Sequence, residues 1–219
     1  MNRVSLGLSL LAVVAALAAT GCGADPSVQP AAQAKSSTPR CSASMRAGWQ
    51  QLANRIGAPV YCPTWMPDPL YGQITGRPSF GGAGGVSLSV SPKDKSYLAS
   101  FVWAERDSGE IHVNLRGYPG RTAIPICRET QSTKGVNHTV NVPCFSDSRG
   151  TFRARGITAT VYTVNQDADL WHVLYAWHHK GSLYALSEHV AQPLSYSQVV
   201  ANVKRMIRGL DLVEPQAAA

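Results

Sequence analysis

The 219-residue sequence predicts an α+β fold, in which a mostly antiparallel sheet of about seven strands packs against an N-terminal and a C-terminal amphipathic helix. Two segments, near the start and the end of the folded region, carry apolar residues at helical spacing. Between them lie seven runs rich in β-forming residues, separated by Gly, Pro and Asp. No crossover helices separate these runs, so the strands should pair antiparallel. Both helices should then cover one face of a sheet that can curve over them.

The first 22 residues have the composition of an export signal. Arg3 supplies a positive charge, residues 4–19 are apolar and uncharged, and small residues precede Cys22. This stretch resembles a bacterial lipoprotein precursor, whose Cys is lipidated and becomes the mature N-terminus. The resemblance implies a signal peptide over 1–21 and a lipid anchor on Cys22, which holds an exported protein on the outer face of a bacterial cell membrane. A plain secretory signal is the alternative.

The composition then changes twice. Residues 22–40 are mostly small or polar, so they cannot bury enough apolar surface to offset the entropy of ordering, and a disordered tether is expected. Residues 41–215 have the length of a single α+β domain. The last four residues, 216–219, should fray.

Two helices are predicted at the ends of this domain. The first follows Ser44 as its N-cap and ends at Gly57, and its apolar stripe is formed by Met45, Trp49, Leu52 and Ile56. The second begins near Ser195 or Ser197 and ends near Gly209. Arg205 and Arg208 lie in its last turn, and its stripe is formed by Val199, Val200, Val203, Met206, Ile207 and Leu210.

The predicted strands cover residues 71–75, 86–91, 97–104, 111–115, 157–164, 170–178 and 183–190. If Lys180 and Gly181 form a two-residue turn, His172 faces His189 across the last hairpin. One face of that hairpin is then apolar and should be core; it carries Trp171, Val173, Tyr175, Trp177, Tyr184, Leu186 and Val190. The other face is mixed, and it should meet solvent or line a groove.

His172 and His189 are the candidate ligand-binding or pH-sensitive pair. Opposed side chains have Cβ atoms about 5 Å apart, close enough to share a ligand or to repel each other when both are protonated. The sequence places no third ligand beside them, so neither a metal nor another cofactor is predicted. The competing interpretation is a polar cross-strand pair on a wet face.

Four cysteines remain if Cys22 carries lipid. An even number in an exported chain indicates disulfides, because the compartment outside the cytoplasm is oxidising. Three pairings are open; the favoured one joins Cys41 to Cys62 and Cys127 to Cys144 and closes loops of about 20 residues, each contributing about 3 kcal/mol.

The formal net charge of +7 suits contact with anionic lipid headgroups or cell-wall polymers. The basic residues are scattered, so no nucleic-acid partner is predicted. The one cluster, Arg149, Arg153 and Arg155, should be a solvated loop rather than an anion site. Residues 81–85 should be a flexible glycine-rich connector, and 165–169 an Asx turn rather than a calcium loop.

Residues 157–212 combine a strand ending at Trp177, the Lys180–Gly181 turn, a strand with Leu183, Tyr184 and Leu186, and a Ser-capped helix. This order is similar to the C-terminal part of small exported bacterial domains related to the LolA/RseB-like half-barrels. The resemblance implies a fold and a habit of binding ligands or proteins, and it includes no catalytic motif.

No nucleophile motif or convincing carboxylate pair is found, so the protein is not predicted to be an enzyme. The leading hypothesis is a binding module for an apolar or envelope ligand in the cleft between sheet and helices, or for an envelope protein. The runner-up is an exported enzyme that uses His172 or His189 as acid or base, and a third hypothesis is a structural partner of a membrane protein. The five tryptophans are expected in the core, although they could line a cavity.

Overall fold

The main structural feature is an antiparallel sheet of seven strands, seen in a computed structural model that describes residues 38–75, 83–105, 109–164 and 171–217. The described residues belong to one compact unit. The predicted signal peptide, Cys22 and the turn at 165–169 lie outside them. Among the helices described, none has the length and apolar character needed to cross a membrane.

The elements follow one another in the order α1 (Ala43–Ile56), β1 (Val60–Pro63), α2 (Tyr71–Thr75), β2 (Ala83–Val90), β3 (Tyr97–Glu105), β4 (Gly109–Tyr118), β5 (Ile126–Thr133), β6 (Val136–Pro143), β7 (Ser148–Ala154), β8 (Ile157–Val164), β9 (His172–His179), β10 (Ser182–His189), α3 (Tyr196–Arg208) and β11 (Leu210–Val213). The main sheet has the order β2-β3-β4-β10-β9-β8-β7, which makes β2 and β7 its edge strands. Strand β1 pairs with β11, and β5 pairs with β6, both antiparallel. The predicted α+β class with an antiparallel sheet is confirmed.

Both predicted helices are present. The N-cap of helix α1 is Ser42, which precedes the predicted cap Ser44. The carbonyl of Ser42 already accepts the first helical hydrogen bonds. It ends at Gly57, whose φ of 68° is in the left-handed region. Helix α3 begins with a capping box, in which Ser195 and Gln198 each accept from the other's backbone N–H.

The strand predicted over 71–75 is wrong, because this segment forms the single helical turn α2. The backbone N–H of Tyr71 donates to the carbonyl of Pro67 at 3.1 Å, and the Thr75 hydroxyl donates to the carbonyl of Tyr71 at 3.1 Å. Only Ile74 is buried, so the alternation of polar and apolar residues does not reflect a sheet face.

Five strands were not predicted: β1, β5, β6, β7 and β11. Strands β1 and β11 have four residues each, too few for a period-two pattern. Strands β5, β6 and β7 are mostly exposed, so they lack the buried face that produces such a pattern. The expected loop around Arg149 and Arg153 is therefore the edge strand β7.

The glycine-rich segment expected to be a connector enters the sheet, because Gly84 and Gly85 belong to β2. A Cβ on Gly84 would clash with the carbonyl oxygen of Val102, so the close approach of β2 to β3 requires glycine there.

The larger core forms where α1, α3 and β1 pack on one sheet face. Trp177 and Tyr184, which were predicted to lie on that face, contact the ring of Tyr61 with centroid distances of 5.2 and 5.0 Å. The Tyr184 hydroxyl donates to the carbonyl of Pro59 at 2.8 Å. Trp171 does not join them; it precedes β9 with a positive φ of 61° and is 61% exposed.

The opposite sheet face was expected to be wet or grooved, and this is wrong for most of its length. Phe145 and the Cys127–Cys144 disulfide cover it and form a second core with Leu174, Ala176, Leu183 and Ala185. The sequence could not show this cover, because it comes from the unpredicted β5–β6 hairpin and the segment that follows it.

The favoured disulfide pairing is confirmed. Cys41 is bonded to Cys62 with 5.9 Å between Cα atoms, and Cys127 is bonded to Cys144 with 4.8 Å. The first disulfide joins the start of α1 to β1, and the second holds the β5–β6 hairpin to the second core. Two disulfides fit an oxidising, exported compartment.

Candidate functional sites

The β9–β10 hairpin has the predicted register. Lys180 and Gly181 have φ values of 48° and 72°, as a two-residue turn requires, and His172 pairs with His189. The two imidazole rings stack with 5.1 Å between their centroids.

A third histidine, His112 on β4, completes a cluster that we call the histidine cluster (His112, His172 and His189). The Nε2 atoms of His112 and His172 lie 2.6 Å apart, and the rings of His112 and His189 stack at 4.7 Å. The alternation of residues 111–115 already places His112 on the face opposite the core. The neighbour of β10 could not be identified from sequence, so the contact with His189 was missed.

Glu110 lies beside this cluster. Its carboxylate is 2.8 Å from Nδ1 of His112, although no well-aligned hydrogen bond joins them, and its backbone carbonyl is 3.1 Å from Nδ1 of His189. Burial, together with the charges of His172 and His189, lowers the pKa of His112 to about 4, and the Glu110 carboxylate opposes this shift without cancelling it. His112 is therefore neutral at pH 7.

The cluster is suited to sharing protons. Two imidazole nitrogens bound to one tetrahedral zinc ion lie roughly 3.3 Å apart, given Zn–N bonds of about 2.0 Å, whereas the Nε2 atoms of His112 and His172 are at hydrogen-bond distance. Within the part of the chain that the structure describes, no group of three or more His, Cys, Asp or Glu side chains has an arrangement that could hold a metal ion.

Glu188 is buried on the other face of β10, beneath α3. Its Oε1 accepts from the side-chain amide of Asn202 at 2.9 Å, and its Oε2 has no hydrogen-bond partner among the described residues. Burial raises the pKa of Glu188 to about 8, against the smaller opposing effect of the Asn202 hydrogen bond. The carboxyl is therefore mostly protonated at neutral pH.

An apolar groove lies between α1 and the edge strand β2, which we call the α1–β2 groove. It has a volume of about 200 Å³ and is lined by Ser44, Met45, Gly48, Trp49, Leu52, Val86, Leu88 and Ala99. Val86 and Leu88 are 45% and 51% exposed, although they point to the same sheet face as the core residues Phe101 and Ala99. Apolar side chains on an open concave surface indicate a binding site.

Gly48 keeps this groove open. It lies in the interior of α1, where glycine destabilises a helix by about 1 kcal/mol relative to alanine. Apart from the backbone of α1 itself, no atom lies within 4 Å of the position that a Cβ on Gly48 would occupy, so the missing side chain leaves empty space within the groove.

The tryptophans divide between core and surface. Trp49, Trp103 and Trp177 are buried, as expected, whereas Trp171 is exposed and Trp65 is partly buried. Trp49 is the tryptophan in the groove lining, and its ring also meets Tyr97 edge-on at 6.4 Å.

Comparisons with family models, curated proteins and solved structures find no match to this chain.

Proposed function

We propose that the protein is an exported, lipid-anchored binding module that holds one acyl chain of an envelope lipid in the α1–β2 groove. The observation that carries this proposal is the apolar lining, in which Val86 and Leu88 stay half exposed beside the buried Trp49. Covering such side chains is favourable by roughly 25 cal/mol for each Å² removed from water.

The size of the groove favours an acyl chain over a bulkier ligand. Pockets for drug-sized molecules have volumes of about 300–1,000 Å³, and this groove is smaller at about 200 Å³. It is bounded by one helix and one edge strand, so a linear ligand can lie along it and extend into solvent at its ends. Among the described residues that line it, Ser44 is the one with a polar side chain.

Two sequence features support the envelope as the location. The export signal that ends at Cys22 is similar to a lipoprotein precursor, and the disulfides fit an oxidising compartment. The resemblance of residues 157–212 to the LolA/RseB-like domains also fits a carrier or sensor of envelope molecules.

A fluorescence titration with the polyene fatty acid cis-parinaric acid tests the proposal. Gly48→Leu places a side chain in the empty part of the groove and should weaken binding at least tenfold. Ala47→Leu adds the same side chain to an exposed neighbouring position of α1 outside the groove, so its affinity should equal that of the wild type. Equal affinities of all three proteins, or no binding by the wild type, would refute an acyl-chain site in this groove.

A second candidate function, an exported acid–base enzyme, is favoured by the row formed by Glu110, His112 and His172. A carboxylate beside one imidazole, which in turn contacts a second, resembles the groups that orient a general base. Turnover of envelope-derived esters that disappears in both His172→Gln and His189→Gln would favour the enzyme. An acyl-chain carrier should bind its ligand equally well with either replacement.

A further inference from the structure

Six cations belong to β7, to the turn that follows it and to α3, and β7 and α3 meet at the edge of the sheet opposite the groove. Three come from the β7 edge and three from the C-terminal half of α3, and we call this surface the basic edge: Arg149, Arg153, Arg155, Lys204, Arg205 and Arg208. Residues 148–164 and 195–210 contain no Asp or Glu. Neither stretch therefore contributes a negative charge to the basic edge.

None of these six side chains forms an ion pair in the described part of the chain. The ion pairs of other Lys and Arg residues lie elsewhere and are Arg46–Asp211, Arg121–Asp94 and Lys180–Glu214. All five arginines of the basic edge are exposed, and Lys204 is half-buried. Their charges are thus available to a partner.

Aromatic rings hold the three α3 cations in place. Lys204 Nζ and Arg208 Cζ lie 5.9 and 5.1 Å from the centre of the same ring, that of Phe152 on β7, and Arg205 Cζ lies 3.9 Å above the ring of Trp65. Lys204 and Arg208 are one helical turn apart, where like charges repel. A bound anion would relieve this repulsion, since among the described residues no carboxylate pairs with either side chain.

We propose that the basic edge binds the surface of an anionic lipid membrane. Cations within reach of phosphate headgroups gain Coulomb energy, and partly buried aromatic side chains suit the boundary between headgroups and acyl chains. A cell-wall polymer offers the same negative charge but no apolar boundary for the exposed parts of Phe152 and Trp65, whose buried parts pack against the main core. The proposal does not depend on the groove, because β7 and β2 are opposite edges of the sheet.

Vesicle flotation of the full chain with Cys22→Ser tests this proposal in the absence of an attached lipid. Vesicles of phosphatidylglycerol and phosphatidylcholine should bind the protein, vesicles of phosphatidylcholine alone should bind it much less, and raising the salt concentration should release it. Arg153→Gln/Arg155→Gln/Arg208→Gln should reduce partitioning into the anionic vesicles by roughly tenfold to a hundredfold.

The matched control removes three charges from exposed turns outside the basic edge, as Lys93→Gln/Lys95→Gln/Lys134→Gln. Wild-type partitioning of this control supports the proposal. An equal loss in both triple variants would show that only net charge matters and would overturn it. Binding to isolated anionic cell-wall polymer but not to anionic vesicles would overturn it as well.

Discussion

Glu188, which is buried, and His112, which is half-buried, are titratable side chains on opposite faces of two neighbouring strands, β10 and β4. Burial favours the uncharged form of each, so it raises the pKa of the carboxyl and lowers that of the imidazole. The two residues should therefore change the stability of the fold with pH in opposite directions.

For Glu188, the folded protein retains a proton that the unfolded chain loses above the ordinary pKa of 4.5. Stability is lost as pH rises from about 4.5 to about 8 and is constant beyond that. Glu188→Gln keeps an acceptor for Asn202 and cannot ionise, so it should raise the free energy of unfolding at pH 7 by up to about 3 kcal/mol. Urea unfolding at several pH values measures this, with Glu129→Gln on β5 as control. A variant less stable than the wild type at pH 7 would mean that the ionised carboxylate is compensated in the fold.

For the histidine cluster, the unfolded chain gains a proton on His112 below the ordinary pKa of 6.5, while the folded chain does so only near 4. Stability is present above pH 6.5 and lost as pH falls towards 4. The shift corresponds to at most about 3 kcal/mol, and solvent screening of a half-buried group reduces this to about 1–2 kcal/mol.

His112→Gln should flatten this acid slope between roughly pH 6.5 and 4 without changing the fold, and His172→Gln with His189→Gln should reduce it in part, because the burial of His112 remains. Unfolding free energies measured across that range provide the test. His138→Gln on the exposed β6 strand is the control and should keep the wild-type slope. A wild-type slope in the cluster variants would show that acid instability arises elsewhere.

At the scale of elements, the two disulfides should have different effects. Cys41–Cys62 lies within the main core, so Cys41→Ser/Cys62→Ser should lower the free energy of unfolding by about 2–5 kcal/mol.

Cys127→Ser/Cys144→Ser should instead free the mostly exposed β5–β6 hairpin and speed hydrogen exchange over 126–143, with β3 and β9 still protected. The wild type should contain no free thiol among these four cysteines. Faster exchange over the whole sheet in the second variant would show that the hairpin is not a separate unit.

The elements that sequence could predict are those with one buried and one exposed side. Helices α1 and α3 and the β9–β10 register follow from a 3.6-residue period, caps and a two-residue turn. Strands β5, β6 and β7 could not be predicted in this way, because neither face of these strands is regularly buried. The second core was not predicted for the same reason, since it forms only where the β5–β6 hairpin and the segment after it fold back over Leu174 and Leu183.

Only part of the histidine cluster could be predicted from the sequence. His172 and His189 lie on consecutive strands, so local turn chemistry brings them together. His112 reaches them through the β4–β10 pairing, which joins residues about 75 positions apart, and no local pattern encodes such a contact. The α1–β2 groove depends in the same way on where α1 packs across the sheet.

At the scale of the whole molecule, the lipid anchor can be separated from the basic edge. Cys22→Ser should release nearly all of the protein from the membrane fraction after a high-salt wash, because salt screens the basic edge and lipid chains bind by about 0.8 kcal/mol per buried methylene. Fractionation of wild-type and Cys22→Ser cells measures this. Retention of the variant after the wash would mean that residues 4–19 remain as an uncleaved anchor.

Native mass spectrometry of the protein purified from its own host tests the central claim, an acyl chain in the α1–β2 groove, most directly. The spectrum of the wild type and of Ala47→Leu should show an added mass that collisional activation releases as a lipid. Gly48→Leu, which fills the groove, should lack it. A wild type without any bound lipid, or a lipid retained equally by Gly48→Leu, would contradict the proposed function.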